Sequence, residues 1–279
     1  MRKKVAFIGV GNMATAVIGG MISGGCDASD IILFDRHIEK MQVFAEKGAI
    51  VASSVAEAAE LSDCIMICVK PQGFGDVLPL LASCKNAKEK LYITIAAGIS
   101  TALVSDAIGG ASVVRALPNT PILIGKGVTA ICRGDGVCDQ NFDFACSLFA
   151  PSSTILKINE DQMNRIICVT SSSPAYMFLI IKSMLDAAAS QGLLLGNDNP
   201  DGLDEKTLIG CICDTMIGAA YLMKEGTKTP DEQIKTVASK GGTTERAIAE
   251  LIEYKLPEAF ASSMQKCTDR ADELGKNKS

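Results

Sequence analysis

The chain has 279 residues, 48% of them hydrophobic and 21% charged, with a formal net charge of −5. That size is enough for one or two packed domains, and the acidic balance argues against nucleic acid as a partner, because phosphate-backbone binding needs a basic surface. His37 is the sole histidine, so no histidine-built metal site is expected, and the eleven cysteines lack any CxxC pair. They read as small buried hydrophobes of a reducing, cytoplasmic compartment.

Taken in chain order, residues 4–10 read as a buried strand. The N-terminal "MRKKVAFIGVGNM" begins basic and then apolar, but its apolar run stops at Gly11 and no cleavage site follows, so it is not read as a signal peptide. A helix follows, ending at Gly24 and Gly25. Strands are expected over 31–35, 64–69, 91–95, 112–116, 127–132 and 154–157, with helices over 37–47, 54–60 and 73–82. Apolar runs alternating with helical spacers are the βαβ pattern of a parallel sheet. This domain is placed at residues 1–160, and a second, largely helical one at 161–279. Its expected helices are a long one over 162–195, bent at Pro174, then 204–225, 230–238, 243–253 and 257–274. "NDNPDGLDEK", 197–206, reads as a polar linker. Several of these helices are strongly apolar, which points to an isologous dimer. No uninterrupted run approaches 18 apolar residues, so no membrane span is expected.

"FIGVGNMATA" carries Gly9, Gly11 and Ala14 in a G-x-G-x-x-A arrangement, after a strand and opening a helix. The first glycine permits the tight turn, the second lets backbone approach a pyrophosphate, and the alanine allows close helix–strand packing. Asn12 and Met13 open the helix whose N-terminus would face the phosphates. Asp35 ends the second strand, where a carboxylate accepts hydrogen bonds from a ribose 2′-hydroxyl and repels a 2′-phosphate, while Arg36 beside it and Lys40 one turn on could bind that phosphate. The residues lean toward NADH and leave NADPH open. "CVKPQ" ends a strand with Val69, Lys70 and Pro71, and "VVRALPNTP" leaves a strand into a rigid turn that carries Asn119 and Thr120. Both are read as closing the cofactor side, or else as ordinary turn chemistry. Arg115 has no assigned task beyond organising its loop.

Oxidising an alcohol requires a base, often histidine, and His37 lies beside the adenosine end. Reducing a protonated imine needs orientation and a polar enclosure with no strong acid. "SKGGTT", 239–244, precedes a helix, and its backbone N–H groups suit a substrate carboxylate, or the segment is simply a helix cap. Two rival readings stand beside the imine reductase. One is a lysine-dependent 3-hydroxyacid dehydrogenase using Lys182; the other is a noncatalytic sensor that binds NAD(H) to alter a dimer.

In their order and spacing, "FIGVGNMATAVIGG", "CVKPQ", "AAGIS", "VVRALPNTP", "SSSPAYMF" and "VASKGGTTERAI" resemble the pyrroline-5-carboxylate reductase family over nearly the whole chain. The resemblance implies an N-terminal Rossmann-type parallel sheet with a C-terminal all-helical dimerisation domain, α/β overall. It implies reduction of L-1-pyrroline-5-carboxylate to L-proline with NADPH or NADH, and homodimers that often build decamers. It places Ala97 and Gly98 among the cofactor contacts. It assigns Gly241, Gly242, Thr243 and Thr244 to the substrate carboxylate, makes Thr244 the catalytic residue near the ring nitrogen, as proton donor or, the preferred role here, as a positioning hydrogen-bond partner, and sets Ser172 and Ser173 near the active site. Two residues depart from the family pattern: Ser171 stands where glycine is usual and Lys240 where proline is common. The lost proline leaves the loop less preorganised, and the lysine adds positive charge near an anionic substrate.

Overall fold

The computed structural model describes residues 3–196 and 199–276. Asn197 and Asp198 of the expected polar linker lie outside the described residues. The chain divides into two compact units, one formed by Met1–Pro174 with Met264–Ser279 and the other by Ala175–Ser263.

The first unit is built on eight strands: β1 (Val5–Ile8), β2 (Ile31–Phe34), β3 (Ile50–Val51), β4 (Cys64–Ile67), β5 (Leu91–Thr94), β6 (Ser112–Leu117), β7 (Gly127–Arg133) and β8 (Ser153–Lys157). They form one sheet in the order β3-β2-β1-β4-β5-β6-β7-β8. Its α-helices are α1 (Asn12–Ser23), α2 (Glu39–Ala45), α3 (Val55–Glu60), α4 (Phe74–Ala82), α5 (Thr101–Ala107), α6 (Asp139–Phe149) and α7 (Glu160–Ile166). Strands β1, β4 and β5 are buried at every position, which is why they read as continuous apolar runs rather than alternating ones. Two large apolar clusters, centred on residues such as Phe7 and Phe149 in one and Ile65 and Tyr92 in the other, alternate along the central strands as the pleat requires.

Every neighbouring pair in the sheet is parallel except β6 and β7, where Val114 faces Arg133 and Leu117 faces Ala130. Residues 118–126 joining them hold only a short 3-10 turn, too little chain for the crossover a parallel pair needs. The expected parallel sheet is therefore a mixed one.

The other unit holds α8 (Ser173–Ser190, whose first two residues belong to the first unit), α9 (Glu205–Glu225), α10 (Pro230–Val237) and α11 (Thr243–Glu253). It also holds the start of α12 (Leu256–Lys276), within which the division falls at Met264. The expected helix over 162–195 is two helices, α7 and α8. Pro174 sits in the first turn of α8, where its missing N–H costs nothing, so it starts a helix instead of bending one. Residues 161–174 and 264–279 group with the sheet, a different division from a cut after residue 160. Met163, Ile167 and Ala271 share a buried cluster with Leu117, Ala130 and Cys132 of β6 and β7.

Among the described residues of Ala175–Ser263, only Leu208 and Ile212 are buried. Phe178 is 66% exposed and Leu222 62%. One helix, α9, is long and apolar enough by length and composition to cross a membrane, although uninterrupted apolar runs gave no such expectation. Its apolar residues are spaced among small and polar ones, which a run-length criterion misses.

Candidate functional site

The strand order reverses direction at β1, whose neighbours are β2 and β4. Ligands of open α/β sheets bind beyond the carboxyl ends of the strands at such a point. A cavity of about 1040 Å³ lies there, lined by Gly9, Gly11, Asp35, Arg36, Val69 and Lys70 together with residues not anticipated, notably Ser53, Ser54, Gln72 and Asp76. The signal for the serines was the Ser-Ser pair ahead of "VAEAAE": Ser54 caps α3 by accepting the Glu57 N–H, and Glu57 in turn accepts from the Ser53 N–H at 2.6 Å.

Gly9 has φ +94°, and an added Cβ would lie 3.2 Å from Cys68 and Val69 backbone, so the turn leaving β1 is closed to other residues. Gly11 is exposed, has open space where a Cβ would stand, and is the N-cap of α1 without a side-chain cap. The first N–H groups of α1 thus face outward without a side-chain partner at the cap, the donor set a pyrophosphate needs. Ala14 is buried against the sheet, Met13 is half-buried beside that core, and Asn12 is exposed. The edge fits a dinucleotide in size, backbone donors and open approach.

Asp35 is tied into this turn. Its Oδ2 accepts the Val10 N–H at 2.7 Å and its Oδ1 the His37 N–H at 2.9 Å, while Lys40 Nζ stands 3.5 Å from Oδ1. Burial alone would push its carboxyl up, but the two N–H donors and the Lys40 charge together hold it below the ordinary 3.8. Arg36 and His37 are exposed at the cavity, and His37 lies 3.5 Å from Glu39.

Beyond β4, Lys70 is exposed and Pro71 opens a 3-10 turn. Ala97 and Gly98 follow β5 at the same sheet edge, Gly98 buried with φ +75°. Asn119 is buried; its Nδ2 donates to the Thr170 carbonyl at 3.0 Å and its Oδ1 accepts the Val128 N–H at 2.8 Å. Its amide pins the turn after β6 to β7 and to the segment before α8, while Thr120 is exposed. In that segment Ser172 Oγ lies 3.2 Å from Cys267 Sγ, Ser173 Oγ donates to the Thr170 carbonyl, and Ser171 Oγ is buried without a partner.

In the helical unit, Gly241 has φ +75° and Gly242 is the N-cap of α11, again without a side-chain cap. A Cβ on Gly242 would lie 2.7 Å from Ser239 Oγ and 2.9 Å from its carbonyl oxygen, so this glycine is sterically required. Thr243 and Thr244 form the first turn of α11, Thr243 exposed and Thr244 half-buried. Glu245 reaches back to the Gly241 N–H at 2.6 Å, a contact not anticipated. Lys182 is exposed and ion-paired with Asp186 on its own helix.

A switch-point crevice with a glycine turn and an aspartate-anchored second strand defines a nucleotide-dependent oxidoreductase. Residues 4–98 match a family model described as NADP oxidoreductase, coenzyme F420-dependent, and residues 160–274 match one described as pyrroline-5-carboxylate reductase dimerisation. A pyrroline-5-carboxylate reductase from Haemophilus influenzae is 33% identical, covering 98% of this chain and 97% of its own. The structure of one from Coxiella burnetii superposes with a TM-score of 0.85 at 29% identity, covering 98% of each chain. One from Plasmodium falciparum, with NADP bound, shares the fold at a TM-score of 0.87 and 22% identity over 98% of each chain. The chain belongs to the pyrroline-5-carboxylate reductase family.

Proposed function

We propose that this chain reduces the C=N bond of L-1-pyrroline-5-carboxylate to give L-proline. The observation that carries the reading is the pair of glycine-built, uncapped helix N-termini, one at Gly11 and one at Gly242. One suits a dinucleotide and the other a carboxylate, in a chain related end to end to reductases of this imine.

NADH or NADPH, when bound, supplies the hydride. Gly9, Gly11, Asn12, Met13 and Ala14 form the pyrophosphate turn, and Asp35 and Arg36 meet the adenosine ribose. Val69, Lys70, Pro71, Ala97, Gly98 and Thr120 frame the rest of the edge, and Asn119 holds that frame in place. The N–H groups of Thr243 and Thr244 hold the substrate carboxylate, and Gly242, whose own N–H donates to the Ser239 carbonyl at 2.9 Å, shapes the turn beside them. Glu245 already occupies the Gly241 N–H, so Gly241 contributes its left-handed turn rather than a donor. The Thr244 hydroxyl orients the ring nitrogen by hydrogen bonding. As hydride reaches the imine carbon, the π pair of the C=N bond becomes the nitrogen lone pair, so a protonated imine needs no further acid. Ser172 and Ser173 support the wall near α8 through Cys267 and Thr170.

Residues 1–160 serve the cofactor, and 161–279 serve the substrate and dimerisation. The exposed apolar helices support a homodimer, itself the building block of a decamer. Eleven free cysteines, Cys64, Cys132, Cys146 and Cys168 among them buried, support work in the reducing cytoplasm.

The test follows NADH and NADPH oxidation separately with pyrroline-5-carboxylate and quantifies proline. One proline per cofactor oxidised is expected. A folded, dinucleotide-binding protein that forms no proline overturns the reading.

A further inference from the structure

Arg115 is a cation buried to 97% on β6, and the cofactor frame described above does not use it. Its Nη2 donates to Asn164 Oδ1 at 2.6 Å, and its Nη1 lies 3.8 Å from Glu160 Oε1. Each partner passes the contact on. Asn164 Nδ2 donates to Asp272 Oδ1 at 2.8 Å, near the end of α12. Glu160 Oε1 accepts the Thr101 N–H at 2.7 Å, and Glu160 Oε2 also accepts the Thr101 hydroxyl, at the start of α5.

These two arms end on either side of one backbone contact. Thr101 stands just beyond the loop that carries Ala97 and Gly98, and Asp272 just before Gly275. A Cβ on Gly98 would lie 2.9 Å from the Gly275 nitrogen, 3.0 Å from the Ala271 carbonyl oxygen and 3.0 Å from Leu274 Cβ. A Cβ on Gly275 would lie 3.0 Å from the Gly98 carbonyl oxygen. The final turns of α12 and the loop after β5 therefore meet backbone to backbone, at a place that excludes a side chain on Gly98 and leaves one on Gly275 tightly crowded. Ala271 is buried and Ala97 packs against the same cluster.

We propose that Arg115, through Asn164 and Asp272, clamps the end of α12 onto Gly98, making Gly275 and Asp272 positioning residues for the cofactor loop. This rests on the reading of the sheet edge as a dinucleotide site. A loop with a left-handed glycine at its centre has a soft backbone, and a rigid helix end behind it fixes where its N–H and carbonyl groups point. The buried charge of this network is Arg115, with Glu160 and Asn164 half-buried and Asp272 exposed, and holding such a charge fixes one geometry more than it adds net stability.

The test measures dinucleotide Kd by quenching or enhancement of NADH and NADPH fluorescence, KM for cofactor and for imine, and Tm. The variants are Gly275→Leu, Asp272→Ala, Asp272→Asn and Arg270→Ala. Gly275→Leu and Asp272→Ala are expected to raise the cofactor Kd and KM about tenfold, while the imine KM moves by less than about twofold. Asp272→Asn keeps an acceptor oxygen for Asn164 and restores most of the affinity. Arg270, whose partner is the exposed Glu273, serves as the neutral control. Lower Tm with unchanged cofactor Kd in both Gly275→Leu and Asp272→Ala overturns the clamp, leaving those contacts purely structural. If Gly275→Leu does not fold, the Asp272→Ala and Asp272→Asn pair decides alone. Wild-type protein that binds no dinucleotide would overturn the cofactor reading itself, an outcome distinct from failure of the clamp.

Discussion

The sheet unit and the helical unit solve the burial problem differently. The sheet unit closes two apolar layers over eight strands and leaves its central strands without solvent contact. The helical unit has two apolar helices, α8 and α9, but buries only Leu208 and Ile212 among its described residues. Burying a large aliphatic side chain contributes roughly 1.5–3 kcal/mol, so a unit with so few buried ones lacks the favourable contribution that offsets chain entropy. An exposed apolar surface of this kind marks an interface, and the dimerisation family model covers it. The first unit carries its own core, while the second leaves its apolar helices exposed, and the Gly241–Thr244 loop proposed for the substrate carboxylate lies in that second unit.

The largest effect follows from breaking the dependent side alone. Ile217→Glu places a charge on the exposed apolar face of α9, where Ile217 is 53% exposed. Sedimentation should show monomer, and proline formation should fall about a hundredfold because the loop loses its fixed geometry. Dinucleotide Kd should stay near wild type.

Next comes the loop itself. Thr244→Ala removes the hydroxyl proposed to bond the substrate's ring nitrogen and should lower kcat/KM for the imine by roughly ten- to a hundredfold, with cofactor Kd unchanged. Steady-state kinetics with either coenzyme checks it, and equal loss of cofactor affinity would blur the division between units.

On the self-contained side, Asp35→Ser removes the carboxylate beside Arg36 and Lys40. The NADPH-to-NADH ratio of kcat/KM should rise about tenfold, since a like charge no longer opposes the 2′-phosphate. The same residue sets an acid limit. Its carboxyl lies below its ordinary 3.8 in the fold, so its stabilisation is complete above that value and is lost as pH falls through the lower folded one. Melting curves in the acid range should lose that dependence in Asp35→Ser.

The smallest effect concerns Ser171. Its hydroxyl is buried and unpartnered, and removing it as Ser171→Ala should stabilise the protein by about 1 kcal/mol, read as a raised Tm with unchanged kinetics.

Much of the sheet unit was legible because its strands are continuous apolar runs and its helices end at Gly24 or begin at caps such as Ser54. α5 and α6 are absent from the expected helices: "TALVSDA" is too short to show a period, and "DQNFDFACSLF" is polar at its start although Phe142, Ala145, Cys146 and Phe149 recur at helical spacing. The antiparallel β7 was not anticipated because direction depends on the length of a connection, not on the strand's own residues. In the site, Gly9 and Gly242 stand where only glycine fits, while Gly11 has open space beside it and is legible through the G-x-G-x-x-A spacing. Asn119 looked like a ligand contact because its type suits one, and only its partners across the fold, Thr170 and Val128, show the amide already engaged. Arg115 was opaque for the same reason, since Glu160 and Asn164 lie far from it in sequence.

The most direct measurement of the division between units is a dilution series of wild-type protein, with oligomer state, bound NADH or NADPH, and proline formation read on the same samples. The account predicts that proline formation per chain falls with the dimer fraction while dinucleotide binding per chain stays constant. Turnover that stays constant per chain as the dimer dissociates would contradict it.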